Sequence, residues 1–93
     1  MDAECMGDRT TCPDLVEAVV IERRVSESMI TRECGFFAKA CAKLNFTTGE
    51  CVIYLPMRST RELRRHERNH CRGWNHAESG AKYWQPMKEI IDE

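Results

Sequence analysis

The three histidines of the chain all lie within one window of eleven residues, HERNHCRGWNH, at positions 66–76. If this window begins as a helix, His66 and His70 point to the same side, because residues four apart share a helix face. Gly73 can then end the helix, since glycine adopts the left-handed conformation at little cost. The chain can double back there and carry His76 to the other two. The window therefore predicts a helix and a turn that gather three imidazoles.

A helix-start signal precedes this window. Residues 59–62, with the sequence STRE, fit the capping box, in which a serine caps the helix and a glutamate three residues later reaches back to it. We expect the helix to run from about residue 60 to residue 71 or 72. Gly73 follows the last turn of this helix, and we expect it to form the turn by which the chain leaves the helix.

Two segments upstream have the composition of strands. Residues 15–25 are rich in β-branched side chains, and residues 51–56, CVIYLP, form a second such run that ends in a proline. Between them, Ser26 or Ser28 can cap a short helix that stops at Gly35. These signals predict an α+β fold, in which a small twisted β-sheet packs on the histidine-bearing helix.

The remaining segments carry weaker signals. Residues 35–46 are apolar and are expected to pack in the core, and TTGE at 47–50 is a turn signal. The tail is interrupted at Pro86, and its last residues are compatible with a short terminal helix.

The length of the chain limits the number of domains. With 93 residues, of which 42% are hydrophobic, we expect a single compact domain over 14–93 after a flexible N-terminal leader over 1–13. No apolar run reaches the roughly 18 residues that a membrane-spanning helix needs. No membrane partner is therefore expected.

Cysteine is unusually frequent for a chain of this size, with Cys5, Cys12, Cys34, Cys41, Cys51 and Cys71. An even number of cysteines in a small chain favours a disulfide framework and an exported or periplasmic protein. A full-length chain without a leader would instead indicate the cytoplasm. The spacing does not select a pairing, and buried free thiols are the alternative. The candidate disulfide cysteines are Cys34, Cys41, Cys51 and Cys71.

Three imidazoles can bind one zinc ion and leave a fourth position for water, which is typical of catalytic rather than structural zinc sites. Glu67 projects about 100 degrees round the helix from His66, so it flanks the ion without being a ligand. There it can take a proton from a zinc-bound water, which is the base role in metal-assisted hydrolysis. The alternative is a structural site that uses Cys71, although Cys71 points about 100 degrees away from His70.

The pattern His-Glu-x-x-His-x-x-Gly-x-x-His resembles the zinc signature of the metzincin metallopeptidases. The resemblance extends over residues 51–76, because CVIYLP is similar to the edge strand that lines the substrate cleft in that clan. It implies a minimal zincin-like domain with one zinc ion per chain, the three histidines as ligands and Glu67 as general base. The implied activity is that of a zinc metalloendopeptidase, whose peptide or protein substrate adds as a strand along residues 51–55.

Two further roles depend on the resemblance alone. The clan places a methionine-containing turn beneath the metal, and Met87 is the only methionine after His76. Tyr83 would stand near the metal as a catalytic hydroxyl that stabilises the oxyanion. Separately, Cys5 and Cys12 of the leader are placed to block the zinc ion as a fourth ligand.

Five arginines occupy the opposite face of the predicted helix. A helical wheel places them between about 160 and 260 degrees from His66; they are Arg61, Arg64, Arg65, Arg68 and Arg72. This face is either the solvated back of the helix or a surface for nucleic acid. The alternative function is therefore a zinc-stabilised nucleic-acid or protein-binding module. A third possibility is a zincin-like domain that keeps zinc but does not cleave peptides.

Overall fold

The computed structural model describes residues 5–6, 11–77 and 80–87. Within these residues the chain forms strands and helices in mixed order, which confirms the predicted α+β class. The elements are β1 (Cys5–Met6), β2 (Val19–Val25), α1 (Glu27–Cys34), β3 (Cys41–Asn45), β4 (Glu50–Pro56), α2 (Arg61–Cys71), β5 (Trp74–Ala77) and β6 (Gly80–Pro86). Neither of the helices in these ranges is long and apolar enough to cross a membrane.

The first sheet has the strand order β2-β4-β3. β2 runs parallel to β4, and β3 runs antiparallel to it. Alternate residues of β4 point into the core, where Cys51, Ile53 and Leu55 are fully buried. Residues 51–56 are thus a strand, as predicted, but their assignment to the sheet edge is wrong. Their apolar composition reflects a central strand that is hydrogen-bonded on both sides and packed under α2.

The short helix α1 begins and ends where the sequence predicts. The hydroxyl of Ser26 accepts a hydrogen bond from the backbone N–H of Met29 at 3.3 Å, which caps the first turn. Gly35 ends the helix with a φ of 107°, and its N–H donates to the carbonyl of Thr31 at 3.0 Å. The predicted turn at 47–50 is also present, with Gly49 at a φ of 76°.

Helix α2 starts one residue later than the capping box predicts. Thr60 is the N-cap, because its Oγ1 accepts a hydrogen bond from the backbone N–H of Leu63 at 3.1 Å. Ser59 is not the cap, since its hydroxyl donates to the carbonyl of Thr60 at 3.2 Å. Serine and threonine are both common N-cap residues, so the sequence alone does not choose between Ser59 and Thr60. Gly73 follows the last turn with a φ of 99°, as expected.

The second sheet has the strand order β1-β6-β5, and the sequence predicts none of its three strands. β5 and β6 form an antiparallel pair in which His76 lies opposite Trp84, with an irregularity after His76. The tail is therefore a strand up to Pro86, and the terminal helix expected after Pro86 lies outside the described residues, apart from Met87.

Parts of the predicted leader over 1–13 belong to this second sheet. Cys5–Met6 pairs with β6, opposite Trp84 and Tyr83. Cys12 is buried, and its backbone N–H donates to Oδ1 of the buried Asn69 of α2 at 2.9 Å. These described residues are therefore folded against the rest of the chain, because sheet pairing and a helix side chain satisfy their backbone.

The six cysteines form three disulfides, Cys5–Cys12, Cys34–Cys41 and Cys51–Cys71. The prediction that Cys34, Cys41, Cys51 and Cys71 are disulfide-bonded is confirmed. The bridge between Cys51 and Cys71 is buried and joins the central strand β4 to the last residue of α2. It therefore holds the C-terminal end of the histidine-bearing helix on the first sheet.

The predicted packing of the segment 35–46 in the core is wrong for its aromatic residues, which lie at the surface, whereas Ala40, Ala42 and Leu44 do pack against the buried cluster of the first sheet. Phe36 and Phe37 are 80% and 93% exposed, and Phe46 is 46% exposed. The short loop that carries Phe36 and Phe37 is closed by the disulfide Cys34–Cys41.

An ion-pair cluster links β2 to the outer face of α2. Glu22 accepts hydrogen bonds from Nε and Nη2 of Arg64 at 2.8 and 3.0 Å, and from Nη2 of Arg68 at 2.6 Å. These hydrogen bonds lower the pKa of Glu22 from 4.5 to about 2, and the bond from Arg64 contributes most. Because the pKa is lower in the folded state, the stabilisation is present above about pH 4.5 and is lost as the pH falls towards 2.

Glu22→Gln is expected to lower the free energy of unfolding by about 1 kcal/mol at pH 6, because exposure of the two arginines screens the pairs. Urea unfolding at pH 6 and pH 2.5 measures this difference, which should shrink at the lower pH. Glu50→Gln, at the exposed start of β4, is the control for losing a carboxylate. An equal difference between Glu22→Gln and the wild type at both pH values would contradict the linkage.

Candidate metal centre

The three histidines of the sequence window converge in the folded chain. One ligand nitrogen from each of His66, His70 and His76 lies within 4.8 Å of the others. The ring centres are 5.2 Å apart for His66 and His70, 4.8 Å for His66 and His76, and 5.0 Å for His70 and His76. These three residues could hold a metal ion. Nitrogens bound at about 2.0–2.1 Å to zinc are closer together than 4.8 Å, so binding would draw the rings inward.

Two different elements position these ligands. His66 and His70 lie one turn apart on α2, whereas His76 lies on β5, directly after the turn at Gly73. The positive φ of Gly73 makes this turn possible, because a side chain at that position would be strained. The predicted convergence of the three histidines is therefore confirmed. The segment that carries His76 back to the helix is a strand, which the sequence does not predict.

A backbone hydrogen bond orients His70 for metal binding. Its Nδ1 lies 2.9 Å from the carbonyl oxygen of Trp74. A carbonyl only accepts, so Nδ1 carries the proton and donates it, and Nε2 keeps a free lone pair. Burial lowers the pKa of His70 from 6.5 to about 4, so the imidazole is neutral at pH 7. A neutral ring with one nitrogen held by a carbonyl is the form in which histidine binds metals.

Glu67 is a buried carboxyl group beside this cluster. It is 4% exposed, and burial raises its pKa from 4.5 to about 7. Glu67 and His66 both line an open groove of about 720 Å³. The other lining residues are Lys39, Ala40, Thr60, Glu62 and Leu63. Glu67 therefore combines a raised proton affinity with a position at the groove, which is suitable for a group that accepts and returns a proton.

Trp84 of β6 is a residue to which the sequence assigns no role at the site. Its ring centre lies 4.9 Å from that of His66, 5.0 Å from that of His70 and 4.9 Å from that of His76. It is 3% exposed, and its Nε1 has no hydrogen-bond partner within the part of the chain that the structure describes. The indole thus packs against all three imidazoles. The sequence shows a tryptophan in the tail, but it does not predict this contact with the histidines.

The two other predicted site residues lie on or after β6. The backbone of Tyr83 pairs opposite Met6, and its side chain lies outside the described residues. Met87 is half-buried, and its backbone N–H donates to the carbonyl of Gly73 at 2.8 Å. That bond ties the end of β6 to the turn between the histidines. The catalytic role of Tyr83 and the methionine turn at Met87 stay predictions.

The disulfides exclude cysteine ligands at this centre. Cys71, the alternative ligand in a structural zinc site, is bonded to Cys51. Cys5 and Cys12 are bonded to each other, so the prediction that one of them blocks the metal is wrong for this oxidised chain. A sulfur in a disulfide has no thiolate to offer a metal.

The arginine face of α2 is partly neutralised by carboxylates. Arg64 and Arg68 bind Glu22, and Nε of Arg72 lies 3.1 Å from Oδ1 of Asp14. These carboxylates reduce the positive charge that the face presents to a phosphate. Nucleic-acid binding through the arginines stays a prediction.

Comparisons of the chain with protein-family models, with curated proteins and with solved structures found no match. The geometry of the site therefore carries the functional argument. Its donors are three imidazole nitrogens, a set that suits zinc, copper, iron or nickel better than magnesium or calcium.

Proposed function

We propose that the protein is a zinc-dependent metalloendopeptidase of minimal, zincin-like size. The observation that supports this best is the convergence of three histidine nitrogens within 4.8 Å of one another, next to a buried glutamate on the same helix. A site of three protein ligands leaves an open position, as in catalytic zinc sites. The resemblance of residues 66–76 to the metzincin signature favours peptide hydrolysis over other metal-assisted hydrolyses.

The side chains divide the chemistry among them. His66, His70 and His76 would hold the ion, which when bound supplies Lewis acidity for activating water and polarising a peptide carbonyl. Glu67 takes the proton of the attacking water and returns it to the leaving amine. Its pKa, raised to about 7 by burial, makes it a stronger base than an ordinary carboxylate. The carbonyl of Trp74 keeps His70 in the tautomer that binds metal.

The substrate would lie along β3 rather than along β4. β3 is the antiparallel edge of the first sheet, and the residue before it, Ala40, lines the groove that contains His66 and Glu67. An edge strand offers backbone hydrogen bonds to an extended peptide. This replaces the assignment of residues 51–55, which are hydrogen-bonded on both sides.

Zinc binding and peptide cleavage test the proposal together. Protein purified without added zinc is expected to contain about one zinc ion per chain by mass spectrometry and to cleave an unstructured protein such as casein. A chelator should abolish cleavage, and zinc should restore it. Since the chain has no histidine outside the cluster, His70→Ala should remove both properties. A protein that takes up no zinc when zinc is offered, or that holds zinc and cleaves no peptide, would contradict it.

A further inference from the structure

Phe36 and Phe37 form an exposed aromatic pair on the loop between α1 and β3. Their rings pack edge to face at 5.2 Å, and both are largely exposed. The disulfide Cys34–Cys41 closes this loop and restricts its conformations. Single exposed apolar residues are common, but two adjacent aromatic rings held at the surface indicate a contact surface.

The loop continues into the wall of the groove at the metal centre. Lys39 and Ala40 line that groove together with His66 and Glu67. Ala38 alone lies between Phe37 and Lys39, so at most about 7 Å of extended chain separates them. The chain then enters β3, the edge of the first sheet. The aromatic pair, the groove and the edge strand therefore follow one another along a single stretch of chain.

We propose that Phe36 and Phe37 bind a large aliphatic or aromatic side chain of an extended polypeptide that lies in this groove. The proposal deepens the proposed function, because it names the substrate class as polypeptides with apolar side chains near the bond to be cleaved. A peptide added to β3 presents every second side chain to the same side. One of these side chains can then cover the aromatic pair while the backbone of the peptide follows the edge strand.

The charges beside the loop favour a peptide over a lipid surface. Lys39 lines the groove together with the exposed carboxyl group of Glu62. An anionic bilayer binds clusters of basic residues on an apolar face, whereas here one basic and one acidic side chain border the groove. A peptide carries no such uniform charge, and its amide groups can reach the free edge of β3.

Peptide binding to the zinc-loaded Glu67→Gln protein tests this independently of cleavage. The probes are two fluorescein-labelled peptides of about ten residues, one with leucine and one with serine at alternate positions. The leucine peptide is expected to bind about 10-fold more tightly. Phe36→Ser with Phe37→Ser should remove this preference. Both rings are exposed, so the double variant should fold normally, and circular dichroism checks this.

Phe46→Ser is the matched control, because Phe46 is an exposed phenylalanine that follows the opposite end of β3 from the loop of Phe36 and Phe37. It should keep the preference for leucine. Equal affinity for both peptides, or a preference that survives the double serine variant, would overturn the proposal. So would binding to phosphatidylserine vesicles, but not to peptide, that depends on Phe36 and Phe37. A leucine preference in binding with no cleavage by the wild type would contradict the peptidase function alone.

Discussion

Replacing Glu67 with glutamine is expected to reduce the peptidase activity of the zinc-loaded protein by about 10²–10⁴-fold, the usual contribution of a general base. Glutamine has nearly the same size and keeps hydrogen-bonding groups, but it cannot take a proton from water. The three histidines are unchanged, so zinc affinity should change little. Cleavage of a fluorogenic peptide gives the first quantity, and competition with a chromophoric chelator gives the second.

Glu62→Gln is the matched control for this experiment. Glu62 lies on the same helix and lines the same groove, but it is exposed rather than buried. Its replacement is expected to leave activity within about twofold. Full activity of Glu67→Gln would show that another group serves as the base, whereas equal losses in both variants would indicate a general effect of charge in the groove.

Removing the disulfide between Cys51 and Cys71 should have the largest effect on stability. The bridge closes a loop with a sequence separation of 20, which in the chain-entropy account corresponds to about 3 kcal/mol. Both cysteines are buried between β4 and α2, so substitution also leaves a gap in the core. For Cys51→Ala with Cys71→Ala, a chain of this size should lose roughly 10–25 °C in Tm by calorimetry.

The double variant Cys34→Ala with Cys41→Ala provides the comparison. That disulfide closes a loop with a sequence separation of 7 and is only half-buried, so a smaller loss is expected. Zinc affinity should separate the two variants further, because Cys71 is adjacent to His70 and holds the end of α2 in place. A larger loss of Tm for the Cys34–Cys41 variant would show that the core around Cys51 does not depend on its bridge.

The sequence predicts the histidine cluster better than it predicts the sheets. The spacing of His66 and His70 and the position of Gly73 follow from helix geometry alone, so their arrangement is predictable. The partners of a strand are not local. CVIYLP has the same composition at the edge or the centre of a sheet, and only its pairing with β2 and β3 shows that it is central.

Two residues show why the rest of the site is hidden in the sequence. Trp84 reaches the histidines because β6 pairs with β5, and the sequence between these strands does not specify which of their residues lie opposite each other. The aromatic pair Phe36 and Phe37 has the composition of a core segment, but it is exposed on the short loop that the disulfide Cys34–Cys41 closes. Local preference alone therefore does not predict the place of either feature in the fold.

The ligands of the candidate centre come from two separate parts of the fold. His66 and His70 lie on the helix that packs on the first sheet, and His76 lies on a strand of the second. An ion bound by all three would therefore act as a reversible cross-link between the two halves of the core. Unlike the disulfides, this link depends on the free metal concentration, so folding and metal binding become thermodynamically coupled. The folded fraction of the protein would then rise with the free metal concentration, even when no substrate is present.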